Sequence, residues 1–203
     1  MKSVTALFGV IVLALFSFFF LGGSPNPAEQ KAGKAKKSQV ERGKYLVSII
    51  GCNDCHSPKI FTKMGPIPDT TRLLSGHPST EKLADVPAGL LGPNAWGAVT
   101  NGHLTAWVGP WGTSFTRNLT PDMTTGIGSW TPEIFMKAIR TGKDMGEGRD
   151  ILPPMPWQMY RNMTDDDLKA VFAYLQSLPP IDNAVPDPIT PTGEKLPTLN
   201  KAK

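Results

Sequence analysis

Apolar and polar positions divide the chain into four stretches. Residues 4–21 (VTALFGVIVLALFSFFFL) are almost wholly apolar and follow Lys2, the pattern of an export signal or an uncleaved membrane anchor. Small residues come next at Gly22, Gly23 and Ser24, but Pro25 follows directly and no A-x-A site appears. Residues 1–23 are therefore read as a signal peptide or a membrane anchor, with the uncleaved anchor favoured. Residues 24–37 change to Pro, Ala, Gly and Lys, which predicts a flexible basic tether. At the other end Pro179, Pro180, Pro186, Pro188, Pro191 and Pro197 predict an extended proline-rich tail over residues 179–203, with little regular structure after Ser177. Residues 38–178 remain for one packed domain.

Inside that domain the 3.6-residue period marks three helices. Residues 40–50 (VERGKYLVSII) place Val40, Val47 and Ile50 in helical register, and Gly43 among them lacks the side chain that would keep a crossing helix away. A second helix is predicted from Pro132 to Arg140. Thr131 is its N-cap, Pro132 suits the first position, Glu133 favours the positive end and Gly142 stops it. The third starts at Thr164, with Asp165, Asp166 and Asp167 placed well for the helix dipole. Its stripe of Leu168, Val171, Phe172 and Leu175 follows i, i+3, i+4, i+7. The three carboxylates point in different directions around the axis, so a solvated capping turn explains them better than a metal or acid/base site.

Charge changes the picture little. The formal net charge of +4 comes from the N-terminal region, where Lys31, Lys34, Lys36 and Lys37 cluster; from residue 38 onward 16 basic residues balance 16 acidic ones. Attraction of the juxtamembrane lysines to anionic lipid accounts for the basic balance, and nothing points to nucleic acid as a partner.

The chemistry is concentrated in Cys52-Asn-Asp-Cys55-His56, which holds both cysteines of the chain. C-x-x-C-H is the attachment pattern of a c-type haem. Two thiols three residues apart lie on one side of a helical turn, each able to add across a haem vinyl group, and the following His56 then faces the iron. A disulfide between the same thiols would close a loop too small to stabilise much and would leave His56 unexplained. A zinc site would need four ligands, and His77 and His103 stand apart in Gly/Pro-rich stretches. No Ser/His/Asp set, carboxylate pair or phosphate loop stands out, so the chemistry belongs to the cofactor.

Met155 is the candidate for the second axial position. It lies in Ile151-Leu-Pro-Pro-Met-Pro-Trp157, where three prolines stiffen the loop and would hold a thioether at the iron with little reorganisation. A core methionine is the alternative, the reading given to Met136, Met159 and Met163. Asn118, Trp130 and Arg149 are candidate donors to the haem propionates. Each has an alternative: Asn118 as a turn cap before Pro121, Trp130 as core, Arg149 as a solvated charge. Trp96, Trp107 and Trp111 are candidates to cover the haem edge, or ordinary aromatic packing.

The order of first helix, Cys52-x-x-Cys55-His56, middle helix, Pro-Pro-Met155-Pro loop and last helix resembles the class I c-type cytochromes over roughly residues 38–178. More narrowly, Asn118-Leu-Thr-Pro-Asp122, Thr125-Gly-Ile-Gly128, Trp130 and Pro-Pro-Met155-Pro-Trp157 resemble one haem domain of the cytochrome c subunits of membrane-bound alcohol and gluconate dehydrogenases. Those subunits carry three such domains, whereas this chain has one C-x-x-C-H. The resemblance implies an all-α class I cytochrome c fold, with few helices around one covalently bound haem c and a long irregular insertion at residues 57–117. It implies that the first and last helices cross near Gly43 and an aromatic such as Tyr174. It also implies export, because haem attachment in such families occurs on the far side of the bacterial inner membrane. The expected protein is thus an electron carrier rather than an enzyme, ligated by His56 and Met155 and working in the periplasm. It is expected to be anchored to the inner membrane by its N-terminal segment and to exchange electrons with redox proteins whose identity does not carry over. Two alternatives are a haem enzyme or gas sensor with an open sixth position, and a fixed subunit of a larger complex that docks through the tail or the insertion.

Overall fold

Helices α1 (Pro27–Ile49) and α5 (Asp165–Leu175) cross at the centre of the domain, and the reason is one missing side chain. A Cβ built on Gly43 would stand 1.9 Å from the Ala170 carbonyl oxygen and 2.8 Å from Tyr174 Cβ, so only glycine permits this approach. Here the residue expected at the crossing and its partner are both found. The computed structural model describes residues 26–196, so the apolar run at 4–21 lies outside the described residues; among those described, no helix is long and apolar enough to cross a membrane.

Helix α1 begins 13 residues earlier than the periodicity indicates, through the stretch read as a flexible tether. Local chemistry explains the difference. Asn26 and Glu29 form a reciprocal capping box, Pro27 takes the first position, and Ala, Lys and Gln that follow are good helix formers. Residues 27–39 are exposed throughout, so this arm has no apolar stripe and could not be seen by period.

The haem motif forms the short helix α2 (Cys52–His56), entered through Gly51 at φ 75°. Helix α3 (Pro132–Thr141) matches its sequence signals: Thr131 Oγ1 accepts from Ile134 N–H, and Gly142 ends it at φ 70°. Helix α4 (Trp157–Tyr160) follows the proline loop, and α5 opens with Thr164 Oγ1 accepting from Asp167 N–H. Leu46 and Val47 of α1, Phe135 and Ile139 of α3, and Leu168, Val171, Phe172 and Leu175 of α5 form one core with Leu74 and Ile127.

The all-α expectation fails in residues 57–117. Strands β1 (Lys59–Thr62) and β2 (Gly65–Pro68) form one antiparallel hairpin; β3 (Val99–Thr100), β4 (Ala106–Gly109) and β5 (Gly112–Phe115) form a second antiparallel sheet. Glycine and proline are too frequent here for helix nucleation, and backbone groups that cannot pair within a helix pair across tight hairpins instead. Both sheets are small, so the molecule is a helical frame with a strand-bearing insertion.

Residues 179–196 form no helix, turn back on themselves at residues 190–194, and are fastened to the domain. Ile189 exchanges two backbone hydrogen bonds with Thr113 of β5, at 2.8 and 2.9 Å. The Asn118 carboxamide donates to the Ile181 carbonyl at 2.7 Å. Pro188 is buried.

Candidate haem-binding site

All three members of the C-x-x-C-H unit face one largely apolar cavity. Its walls come from Ile50 at the end of α1, Phe135, Ala138 and Ile139 of α3, Leu168, Val171 and Leu175 of α5, and Leu119 and Ile127 of the intervening loops. Met155 lines the same cavity. The packed helices thus bring together four residues that are separated by up to 103 positions in sequence.

His56 is held in one orientation. Its Nδ1 lies 2.8 Å from the Arg117 carbonyl oxygen, which can only accept, so Nδ1 carries the proton and Nε2 keeps the lone pair that a metal would use. Burial holds the imidazole pKa below its usual value, which favours the neutral, ligating form. Cys52 and Cys55 are free thiols rather than a disulfide. Burial pushes the Cys52 thiol up to about 12 and raises Cys55 as well, so neither is an exposed, reactive thiolate. Among the described residues no three His, Cys, Asp or Glu side chains converge as a metal site would require, so the zinc reading has no ligand set.

The loop that carries Met155 is braced on both sides. Ser114 Oγ of β5 donates to the Pro153 carbonyl at 2.6 Å, Met155 N–H reaches the Leu152 carbonyl at 3.3 Å, and Ile151 N–H donates to the Gly142 carbonyl at 2.7 Å. Trp157 packs on the bare Cα of Gly142, where a Cβ would come within 2.3 Å of the indole. Tyr160 of α4 donates to the Ile50 carbonyl at 2.8 Å and ties this side to the entry of the haem motif. Met163 also lines the cavity, whereas Met159 is 71% exposed.

One corner of the cavity is polar. Arg117 pairs with the buried Asp144 carboxylate, and its guanidinium lies 4.9 Å from the centroid of the Trp130 ring. The backbone of Arg149 joins the same cluster, its carbonyl accepting from Asp144 N–H at 2.8 Å. Trp130 Nε1, Arg117 Nε and Arg149 Nε are buried donors without a hydrogen-bond partner among the described residues. Unpartnered buried donors are costly, and three of them beside an apolar cavity suit a ligand that ends in anionic groups. A flat apolar macrocycle with carboxylate tails therefore fits the residues present.

Of the predicted donors, Trp130 and Arg149 line the cavity and Asn118 does not. The Asn118 side chain is fully buried in a turn: Nδ2 donates to Thr125 Oγ1 and Ile181 O, and Oδ1 accepts from Thr120 N–H and Oγ1. Every polar atom of its carboxamide is engaged, so its propionate role is withdrawn. The three tryptophans of the insertion also lie elsewhere. Trp96 is 66% exposed, Trp107 donates to the Leu104 carbonyl, and Trp111 donates to Ser114 Oγ. Ser114, Phe115, Thr116 and Arg117 line the cavity instead. Arg117 and Asp144 were not visible in the sequence: the carbonyl that orients His56 could belong to any residue type, and Asp144 comes from a turn 27 residues further along.

No family model matches the chain. Curated relatives do. The chain is 30% identical over 188 residues to the gluconate 2-dehydrogenase cytochrome c subunit of Pantoea cypripedii, covering 92% of this chain and 31% of that protein. It is 37% identical over 171 residues to the cytochrome c subunit of the quinone alcohol dehydrogenase of Gluconobacter oxydans, covering 82% of this chain and 27% of the relative. The fructose dehydrogenase cytochrome subunit of Gluconobacter japonicus is 28% identical over 185 residues, with 91% and 29% covered. The chain thus spans less than a third of the length of these relatives. It is a relative of the cytochrome c subunits of gluconate, alcohol and fructose dehydrogenases.

Proposed function

We propose that this chain is a single-haem c-type cytochrome that carries one electron at a time between a dehydrogenase or respiratory complex and an acceptor protein. One observation carries this reading: His56, with Nδ1 tied to the Arg117 carbonyl, lines the same apolar cavity as Cys52, Cys55 and Met155. The similarity to cytochrome c subunits of dehydrogenases supports it.

Haem c, when bound, supplies an iron that cycles between ferrous and ferric states. The chain's own part is to hold that group in place. Cys52 and Cys55 would hold it covalently through thioethers, each S–H having added across a vinyl group. His56 Nε2 and the Met155 thioether would hold the iron, and the braced proline loop would keep the thioether in place. Arg117, Arg149 and Trp130 would donate to its carboxylate tails. The apolar walls exclude water, so little solvent has to reorganise when the electron arrives or leaves.

The site of action is the periplasmic face of the inner membrane, with residues 4–21 as the anchor. This part of the proposal is supported by sequence alone, through an uncharged run of 18 residues.

Denaturing gel electrophoresis with haem staining tests the assignment, because a thioether-linked haem stays with the chain and a non-covalent one is extracted by acidified acetone. Met155→Ala is expected to let the ferrous protein bind carbon monoxide and to lower its reduction potential, since a thioether favours the ferrous state. If the unaltered protein already binds carbon monoxide at neutral pH, or if Met163→Ala rather than Met155→Ala changes the spectrum, Met155 is not the ligand.

A further inference from the structure

Residues 74–77 (Leu-Ser-Gly-His) occupy an unusual place in the hydrogen-bond pattern. On one side they meet the haem motif: Gly76 N–H donates to the His56 carbonyl at 2.8 Å, and Leu74 N–H donates to Ser57 Oγ at 2.8 Å. On the other they meet the segment that orients the His56 ring. His77 N–H donates to the Thr116 carbonyl at 2.9 Å, and Leu119 N–H donates to the Leu74 carbonyl at 2.8 Å. Gly76 sits at φ +79°, and a Cβ there would come within 2.6 Å of the Arg117 carbonyl carbon and 2.5 Å of the Thr116 oxygen. The segment therefore sets the spacing between the backbone of His56 and the carbonyl that accepts its Nδ1–H.

Asn183, in the proline-rich tail, locks this segment from behind. Its Nδ2 donates to the carbonyls of Ser75 at 2.7 Å and His77 at 2.9 Å, and its Oδ1 accepts from Ser79 N–H at 2.9 Å. Its own N–H donates to Thr125 Oγ1 at 3.0 Å, which fixes the tail to the loop beyond Asn118. One carboxamide satisfies two carbonyls of a segment with no helix or strand of its own, so nothing equivalent replaces it when it is removed.

We propose that residues 74–77, held by Asn183, are the positioning device for the proximal ligand, and that Asn183 is a positioning residue for His56. This rests on the reading of His56 as an iron ligand. The hydrogen bond from Nδ1 to a carbonyl raises the basicity of the ligating nitrogen and fixes the ring plane. Loosening the clamp weakens that bond, makes His56 a poorer donor to the ferric iron, and so raises the reduction potential.

The test uses the full haem-bearing chain. In Asn183→Ala the His56 Nδ1–H proton, followed by NMR, is expected to exchange with solvent at least about tenfold faster than in the unaltered protein, since the opening of a local unit controls such exchange. The midpoint potential is expected to rise. Asn183→Asp, which keeps the size and the acceptor for Ser79 but loses both donors, is expected to change both readouts in the same direction. A loss of stability with unchanged ring-proton exchange and unchanged potential would overturn the inference and leave Asn183 as a purely structural residue. If neither variant folds, amide exchange in the unaltered protein decides. Gly76 N–H protected as well as the α1 and α5 amides supports the clamp, and Gly76 exchanging at the rate of an exposed loop refutes it. A chain that carries no covalent haem on staining would instead defeat the functional reading, which is a separate result.

Discussion

The cavity is enclosed by two half-walls that are held together in different ways. Helices α1, α3 and α5 meet through apolar side chains, among them Leu46, Val47, Phe135, Ile139, Leu168, Phe172 and Leu175. The half built from residues 57–130 and the tail buries few large apolar side chains, Leu74 and Ile127 foremost. Its polar side chains, the buried Ser57, Asn118 and Thr120 and the half-buried Asn183, instead satisfy backbone groups of neighbouring segments. Apolar packing is tolerant of exact identity so long as volume is kept, whereas a polar network fails at the one atom that is removed. Both half-walls contribute to the site, the first by shape and the second by fixing His56 and the proline loop.

The largest expected effect lies in the helical half, at the one position where packing has no tolerance. Gly43→Ala should destabilise the domain by about 3 kcal/mol or more, because the added methyl meets backbone of α5 rather than a movable side-chain tip. Urea unfolding monitored by far-ultraviolet circular dichroism would show the shift in midpoint. A midpoint within error of the unaltered protein would mean that the helices slide past one another cheaply, and the contrast between a packed half and a bonded half would lose its sharpest case.

A smaller loss is expected in the other half from Asn118→Ala. Removing the carboxamide leaves the Thr120 N–H and one bond of the Ile181 carbonyl unmet in a buried turn, which costs about 1–3 kcal/mol. Its reduction potential should stay where it was, since Asn118 does not reach the cavity. A shifted potential with intact stability would restore the propionate role that the sequence suggested.

These two residues also show what can be read from a sequence and what cannot. Gly43 is legible because its neighbours Val40, Val47 and Ile50 carry a helical period and glycine has one obvious use within it. Thr131, Gly142 and Thr164 are legible for the same reason: capping chemistry acts on the local backbone. Asn118 looks like a donor near a cofactor, yet its partners Thr125 and Ile181 are set by tertiary folding. The strands are short, four residues or fewer, so alternation has little room to register; the Gly109-Pro110-Trp111-Gly112 turn between β4 and β5 was the clearest mark available. Arg117 acts on His56 through its backbone, which leaves no trace in residue type. Asn183 lies in a proline-rich run whose composition says nothing of its attachment to the domain.

The smallest effect expected is electrostatic and belongs again to the polar half. Asp69 accepts from Thr71 N–H and Oγ1 through Oδ1 and from Arg72 Nε through Oδ2, and these bonds hold its pKa down to about 2, with the Thr71 hydroxyl the leading cause. An unfolded aspartate titrates near 3.9, roughly. Because the folded value is the lower one, the ionised carboxylate contributes its full stabilisation above about pH 4 and loses it as the pH falls toward about 2. The turn over residues 69–72 precedes the 74–77 segment, so acid should loosen the polar half at this turn. Asp69→Asn is expected to lower stability modestly at neutral pH, with the difference from the unaltered protein narrowing as pH falls from about 4 to about 2. Thermal unfolding at a series of pH values measures that difference. A constant gap across the acid range would show that Asp69 acts through its turn geometry and not its charge, and the acid sensitivity of this half would have to come from Asp122, whose carboxylate is likewise held below its usual pKa by the backbone of Thr125.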